Sequence, residues 1–490
     1  MRNRGFRLEV MRWKLLVLVG ALAARSAMAE MPATVQTLID RGDFAEAEAK
    51  LRTQIEDTDA PIVDGAAVQL EILRRTRRDF SLDQQTVLEQ VQASIPDATA
   101  EDLQRWRESR ALQSRTIDGE VRYFRRAVSN LYRFSEEAER RREEHAGEQP
   151  PSPGKFQFTK HIARLVALSD KSVDAEIYPV RHRVTYQLSV KSNHPRVKTG
   201  AVVRAWLPFP QSYRQQRDVQ LLDSEPPVTL VTDNGVPHRT LYFEQVVDTS
   251  EIAPTFRASF EFVTSAYCPK LDPRKVQSYD IASESYRHYT AERLPHIQLS
   301  SEVRELAGQI VGEEANPLGK AIRVFRWVSQ NIPWCGEMEY CIIPNLSAKG
   351  LRARRGDCGV QGMTFITLCR AAGVPARWQS GWETKPGEEN MHDWSEVYIE
   401  PWGWLPVDAS YGVRDHEDSR VQNFLCGHMD AYRLIVNLDY ARDLQPAKTS
   451  FRSEPNDFQR GEIEIDGHNL YFDEWSWNFD VETKPLASFD

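Results

Sequence analysis

The hydrophobic period of this chain changes in blocks, and that constrains its fold more than any single motif does. From residue 33 to about 145, apolar residues recur at helical spacing. From Tyr178 to Tyr267 they alternate instead, with Val180, His182, Val184, Tyr186, Leu188 and Val190 set against Arg181, Arg183, Gln187 and Lys191. Helical spacing returns near Ser300, and alternation returns after Val374. Blocks of helices followed by blocks of strands predict an α+β multidomain protein. The 490 residues are too many for one compact core. Hydrophobic content of 41% and aromatic content of 10% fit a folded protein rather than a disordered one.

The blocks divide the chain as follows. Residues 1–29 read as a signal peptide, with Arg2, Arg4, Arg7, Arg12 and Lys14, the apolar run Leu15–Ala24, and Ala27-Met28-Ala29 as the cleavage site. Residues 30–146 form a helical domain that includes a tight hairpin at Asp118-Gly119. Residues 147–177, with Pro150-Pro151-Ser152-Pro153-Gly154, read as a linker. Residues 178–272 suggest a β-sandwich-like domain, because short strands are broken by Pro208, Pro210, Pro226-Pro227 and Asp233-Asn234-Gly235. Residues 280–440 carry the chemistry, and residues 441–490 form a C-terminal β extension turning at Asp466-Gly467.

Removing residues 1–29 takes away six basic groups and one acidic group, which moves the formal charge from −9 to about −14. An acidic exported chain is a poor nucleic-acid binder. Ten apolar residues are too few to span a bilayer, so the mature protein is expected in the periplasm or secreted, with no stable membrane insertion. Cys335 and Cys341 are the best candidates for a disulfide among the 6 cysteines. No zinc signature or EF-hand loop is present, and no metal or cofactor is expected.

The chemistry begins at Gly356-Asp357-Cys358-Gly359, where a loop ends and a helix begins. A cysteine in the first turn meets the positive end of the helix dipole, which favours its nucleophilic thiolate form. Further on, His392–Ile399 alternates as a strand, Pro401-Trp402-Gly403 turns, and Trp404–Asp408 returns as a second strand. Such a hairpin sets Asp408 opposite the region of Asp393 to Ser395, beside His392. A thiol needs an imidazole to take its proton, and the imidazole needs a carboxylate to fix its tautomer.

Three blocks in this order resemble the transglutaminase-like superfamily of papain-like thiol enzymes. They are Gly356-Asp357-Cys358 with Leu368–Arg377, then His392-x-Trp394-x-Glu396-Val397-Tyr398, then Gly403–Asp408. The resemblance covers roughly residues 300–415. It implies a papain-like core in which a helix bearing Cys358 packs on an antiparallel sheet. It also implies Cys358 as nucleophile, His392 as general base and acid, and Asp408 as orienting group. The Cys358 backbone N–H is the first oxyanion donor expected, and Trp334 or Asn345 is the candidate second. The implied reaction attacks a peptide or glutamine-type amide through a thioester, in a peptide or protein substrate, with cell-envelope material one candidate. Hydrolysis is preferred over protein cross-linking. A non-catalytic binding or scaffold protein built on the same core is the rival reading.

Overall fold

The computed structural model describes residues 33–56, 65–146 and 156–489. The expected signal peptide lies outside these residues. The chain divides into two compact units, Met1–Pro150 and Pro151–Asp490.

In the first unit, helices Ala33–Arg41, Phe44–Glu56, Gly65–Asp79, Gln84–Gln92 and Ala100–Glu108 precede a hairpin of β1 (Ser114–Ile117) and β2 (Glu120–Tyr123). Helices Ala127–Phe134 and Glu136–Ala146 follow it. Thr99 starts its helix with a reciprocal capping box: its side chain accepts from Asp102 N–H, and the Asp102 side chain accepts from Thr99 N–H. The hairpin turn needs two left-handed residues, and Asp118 and Gly119 supply them with φ of 51° and 81°.

The second unit opens with a helix the sequence reading missed. Phe158–Lys171 lies inside the segment expected to be linker and buries Phe158, His161, Ile162, Leu165 and Val166. Those positions follow helical spacing. The proline run before them hid the change.

Two antiparallel sheets form a sandwich. One runs β15 (Trp475–Pro485), β3 (Glu176–Val190), β8 (Thr255–Tyr267), β5 (Gln216–Glu225). The other runs β14 (His468–Leu470), β13 (Glu462–Ile465), β4 (Val202–Pro208), β7 (Thr240–Val246), β6 (Leu230–Val231). The C-terminal segment is therefore no appendage, since β13 pairs with β4 and β15 pairs with β3 along its length. Tyr186, Leu188, Trp206, Phe243, Phe260, Ile463 and Trp475 fill the space between the sheets. Each such side chain contributes about 1.5–3 kcal/mol on burial.

The remaining sheet has the order β11 (Gly403–Val407), β10 (Asn390–Ile399), β9 (Ala376–Glu383), β12 (Arg433–Asn437). Against it packs the helix Cys358–Ala371, buried from Gly359 through Arg370. A helix apolar on every side belongs in a core rather than at a surface. Asp357 caps its start by accepting from Val360 N–H, and Gly373 with φ of 76° ends it. The β10–β11 register pairs Ser395 with Val407, so Asp408 follows opposite Trp394, where the hairpin predicts it.

Candidate active site

The hairpin brings His392 and Asp408 together. His392 Nε2 lies 2.8 Å from Asp408 Oδ2, and both side chains are buried. Asp408 Oδ1 accepts from the backbone N–H groups of Ser410 at 3.0 Å and Tyr411 at 3.1 Å. Behind it, the buried Arg433 places Nη1 3.0 Å from Asp408 Oδ2 and donates Nε–H to Asp430 Oδ2 at 3.0 Å. Burial alone raises a carboxyl pKa, but here His392 and Arg433 outweigh it and hold Asp408 far below the usual carboxylate range. The Tyr411 ring stands edge-on to the imidazole with centroids 5.4 Å apart. Nε2 is thus committed to Asp408, which leaves Nδ1 for chemistry.

Cys358 has a different partner. Its Sγ–H donates to Asp393 Oδ2 at 3.3 Å, and no hydrogen bond joins it to His392 among the described residues. Successive side chains of a strand leave it in opposite directions, and the sulfur has taken the Asp393 side of β10. Tyr340 Oη also donates to Asp393 Oδ2, at 2.8 Å, while accepting from Gly359 N–H at 3.0 Å. Gln459 Nε2 donates to Asp393 Oδ1 at 2.7 Å and to the His392 carbonyl oxygen at 2.8 Å. Asp457 completes the group. Its Oδ1 accepts from Ser380 Oγ at 2.5 Å and Asn437 Nδ2 at 3.0 Å, and after burial its charge is the largest influence raising Asp393.

These surroundings reverse the expected behaviour of the thiol. Burial first, then Asp393 and Asp357, push the Cys358 pKa well up rather than down, although the residue keeps some solvent contact. The magnitudes explain why the helix dipole loses. A helix N-terminus favours an anion by about 0.3–1 kcal/mol. A second negative charge about 4 Å away costs about 4 kcal/mol at an effective dielectric near 20.

The other expected residues divide. The backbone of Trp334 bridges to Gly356, and Cys335 N–H donates to the Gly356 carbonyl oxygen at 3.1 Å, so this segment runs beside the approach to Cys358. Trp334 is 39% exposed, unlike the buried Trp378 and Trp382, which pack the core. Asn345 has a structural job: its Oδ1 caps the helix Leu346–Ala353 by accepting from Ala348 N–H at 2.9 Å and also takes Ser347 Oγ–H. The expected disulfide is not formed. Cys335 Sγ–H donates to Glu337 Oε1 at 3.3 Å, and Cys341 Sγ lies 3.8 Å from Tyr471 Oη. Asp393, Asp457, Tyr340, Gln459 and Arg433 were not singled out from the sequence. Only Asp393, adjacent to His392, carried a positional hint.

Comparison with known proteins agrees with the fold. Residues 304–409 match the transglutaminase-like superfamily and form a transglutaminase-like core; the span includes Cys358, His392 and Asp408, and ends before Arg433 and Asp457. An uncharacterised protein of Haemophilus influenzae is 24% identical over 369 residues, covering 64% of this chain and 93% of that protein. The uncharacterised protein YebA of Bacillus subtilis is 23% identical over 190 residues, covering 34% of this chain and 26% of that protein. Among solved structures, a candidate cysteine protease from Cytophaga hutchinsonii is similar at 15% identity and a TM-score of 0.43, covering 64% of this chain and 91% of the other. The periplasmic domain of TgpA from Pseudomonas aeruginosa is similar at 15% identity and a TM-score of 0.24, covering 50% of this chain and 91% of the other.

Proposed function

We propose, from the transglutaminase-like core at residues 304–409, that this chain is an exported thiol enzyme acting on peptide or glutamine-type amide bonds. The observation that carries the reading is the 2.8 Å bond between His392 and Asp408, in a core that also begins a helix with Cys358. Asp408 fixes the imidazole with Nε2 protonated, so Nδ1 is the site that takes the Cys358 proton and returns it to the leaving amine. The sulfur then attacks the carbonyl carbon, the C–N bond breaks, and a thioester remains for water to hydrolyse.

The oxyanion is received by the Cys358 backbone N–H, with the Trp334 indole the candidate for the second donor. Gly359 N–H is unavailable for that purpose because Tyr340 Oη occupies it. Hydrolysis is favoured over amine transfer because water is the abundant acceptor. One observation supports the rival reading of a binding protein on the same core, namely that the Cys358 thiol is bonded to Asp393 and not to His392.

Ammonia release and amine incorporation on a glutamine-containing peptide separate these readings. Release from the wild type, falling at least about 10³-fold in Cys358→Ala, is the expected result. Equal release from both proteins would remove Cys358 from the mechanism.

A further inference from the structure

Arg433 lies beyond the family-matched residues 304–409, yet its guanidinium meets the oxygen on which the base depends. Asp408 Oδ2 stands 2.8 Å from His392 Nε2 and 3.0 Å from Arg433 Nη1. The second contact is an ion pair with no aligned hydrogen bond at either Nη among the described residues, so it acts through charge.

The guanidinium is held in place from several sides. Its Nε–H donates to Asp430 Oδ2 at 3.0 Å, and Asp430 Oδ1 accepts from Tyr432 N–H at 2.8 Å. It lies 5.7 Å from the Trp394 ring centre and 5.3 Å from that of Tyr411, and the residue is buried. Tyr411 thus touches both partners, with its ring against the guanidinium and its N–H on Asp408 Oδ1.

Further charges face this group from the neighbouring elements. Glu383, at the end of β9, pairs with the buried Lys385 at 3.0 Å, and Glu388 stands 3.6 Å from the same ammonium. Arg414 donates to the Tyr411 carbonyl oxygen at 2.8 Å. His161 and Cys268 face Asp430 as neutral groups, because burial lowers the imidazole and raises the thiol to about 12. The phenols of Tyr411 and Tyr432 are likewise pushed up by burial and stay neutral. Four carboxylates, Asp408, Asp430, Glu383 and Glu388, therefore face three cations, Arg433, Lys385 and Arg414. One proton on His392 completes the balance.

We propose that Arg433, anchored by Asp430, is a positioning residue for His392: it holds Asp408 toward the imidazole and takes up part of its charge. The base is then aligned without being locked in its protonated form. The inference rests on the thiol-enzyme reading for its purpose but not for its test. A carboxylate shared with a guanidinium holds an imidazolium less strongly than one bonded to the imidazole alone, and such a neighbouring charge is worth about one pH unit or more. Asp430 limits the effect by opposing the guanidinium at its Nε edge.

Nuclear magnetic resonance of the full chain carrying isotope-labelled histidine tests this without any substrate, with the His392 signal identified by its loss in His392→Gln. It follows proton uptake by the His392–Asp408 pair. In Arg433→Met the uptake midpoint rises by about one pH unit or more, and Arg433→Lys returns it toward wild type. In Asp430→Asn the guanidinium charge is unopposed, and the midpoint falls. The double variant Arg433→Met/Asp430→Asn leaves neither member of that buried pair behind, so it decides the matter if Arg433→Met does not fold, and its midpoint rises. A merely structural role for Arg433 lowers stability but moves none of these midpoints. An Arg433→Met or double-variant midpoint that stays put or falls, or an Asp430→Asn midpoint that stays put or rises, overturns the proposal. Absent amide turnover with these shifts intact would sink the enzyme reading and leave the positioning role standing.

Discussion

The two sides of strand β10 treat buried charge in opposite ways. On one side, the Arg433 guanidinium lies between Asp408 and Asp430, and Asp408 also pairs with His392 and accepts from two backbone N–H groups. On the other, Asp393 and Asp357 crowd one thiol, and each has its pKa raised by burial first. One side is therefore set to stabilise an imidazolium. The other opposes the thiolate that an imidazolium would accompany. The difference teaches that one fold can ready its base to take a proton while the carboxyls around its nucleophile oppose giving one up.

The comparison breaks most visibly at Arg433. Replacing it with Met leaves Asp408 and Asp430 buried without their shared cation, and removing one partner of a buried ion pair typically costs about 3–5 kcal/mol. Urea unfolding of Arg433→Met measures this directly. A loss under about 1 kcal/mol would mean that the two aspartates do not depend on it, and the contrast between the sides would lose its basis.

A smaller effect separates the sides by pH. Burial raises Glu454 to about 8, and burial followed by Glu337 raises Asp357 to about 7. Such groups bind protons in the fold that the unfolded chain releases near pH 4. Their stabilisation is therefore complete below about pH 4 and is lost as pH rises through about 7 and about 8. His296 and His428, lowered to about 4 by burial, act oppositely. Their stabilisation is already complete above the unfolded imidazole value near 6.5. Asp408, depressed, keeps its stabilisation until strongly acid pH. The window from about pH 6.5 to about 8.5 thus isolates the carboxyls, and stability should fall across it by up to about 1.4 kcal/mol per pH unit for each proton released. Thermal unfolding of the wild type and Glu454→Gln checks the sign, with a shallower fall expected in the variant. A wild-type stability that rises across the window contradicts the assignment of raised carboxyls.

The legible half of the site was the half made by local rules. Asp357-Cys358 showed itself as a cap followed by a helix, and His392 with Asp408 followed from alternation around a three-residue turn. Asp393 looked like an ordinary strand residue because its partners, Tyr340 and Gln459, come from segments 53 and 66 positions away, where no period marks a meeting. Arg433 was hidden for a similar reason, reaching Asp408 from β12, at the opposite edge of the same sheet. Asn345 carried a readable signal, since an asparagine just before a helical run is a cap first and a catalytic donor second. The sandwich was legible strand by strand, but its closure by β13 and β15 was not. Pairing between strands more than 250 residues apart leaves no trace in either one alone.

The central claim is that Cys358 forms a covalent thioester despite its acidic surroundings. Acid-quenching the wild type during reaction with a glutamine-containing peptide, followed by mass spectrometry, tests it most directly. The predicted result is an adduct of the peptide less ammonia on the fragment bearing Cys358, removed by hydroxylamine and absent in Cys358→Ala. Ammonia release with no adduct at Cys358, or with the adduct at another residue, would contradict it.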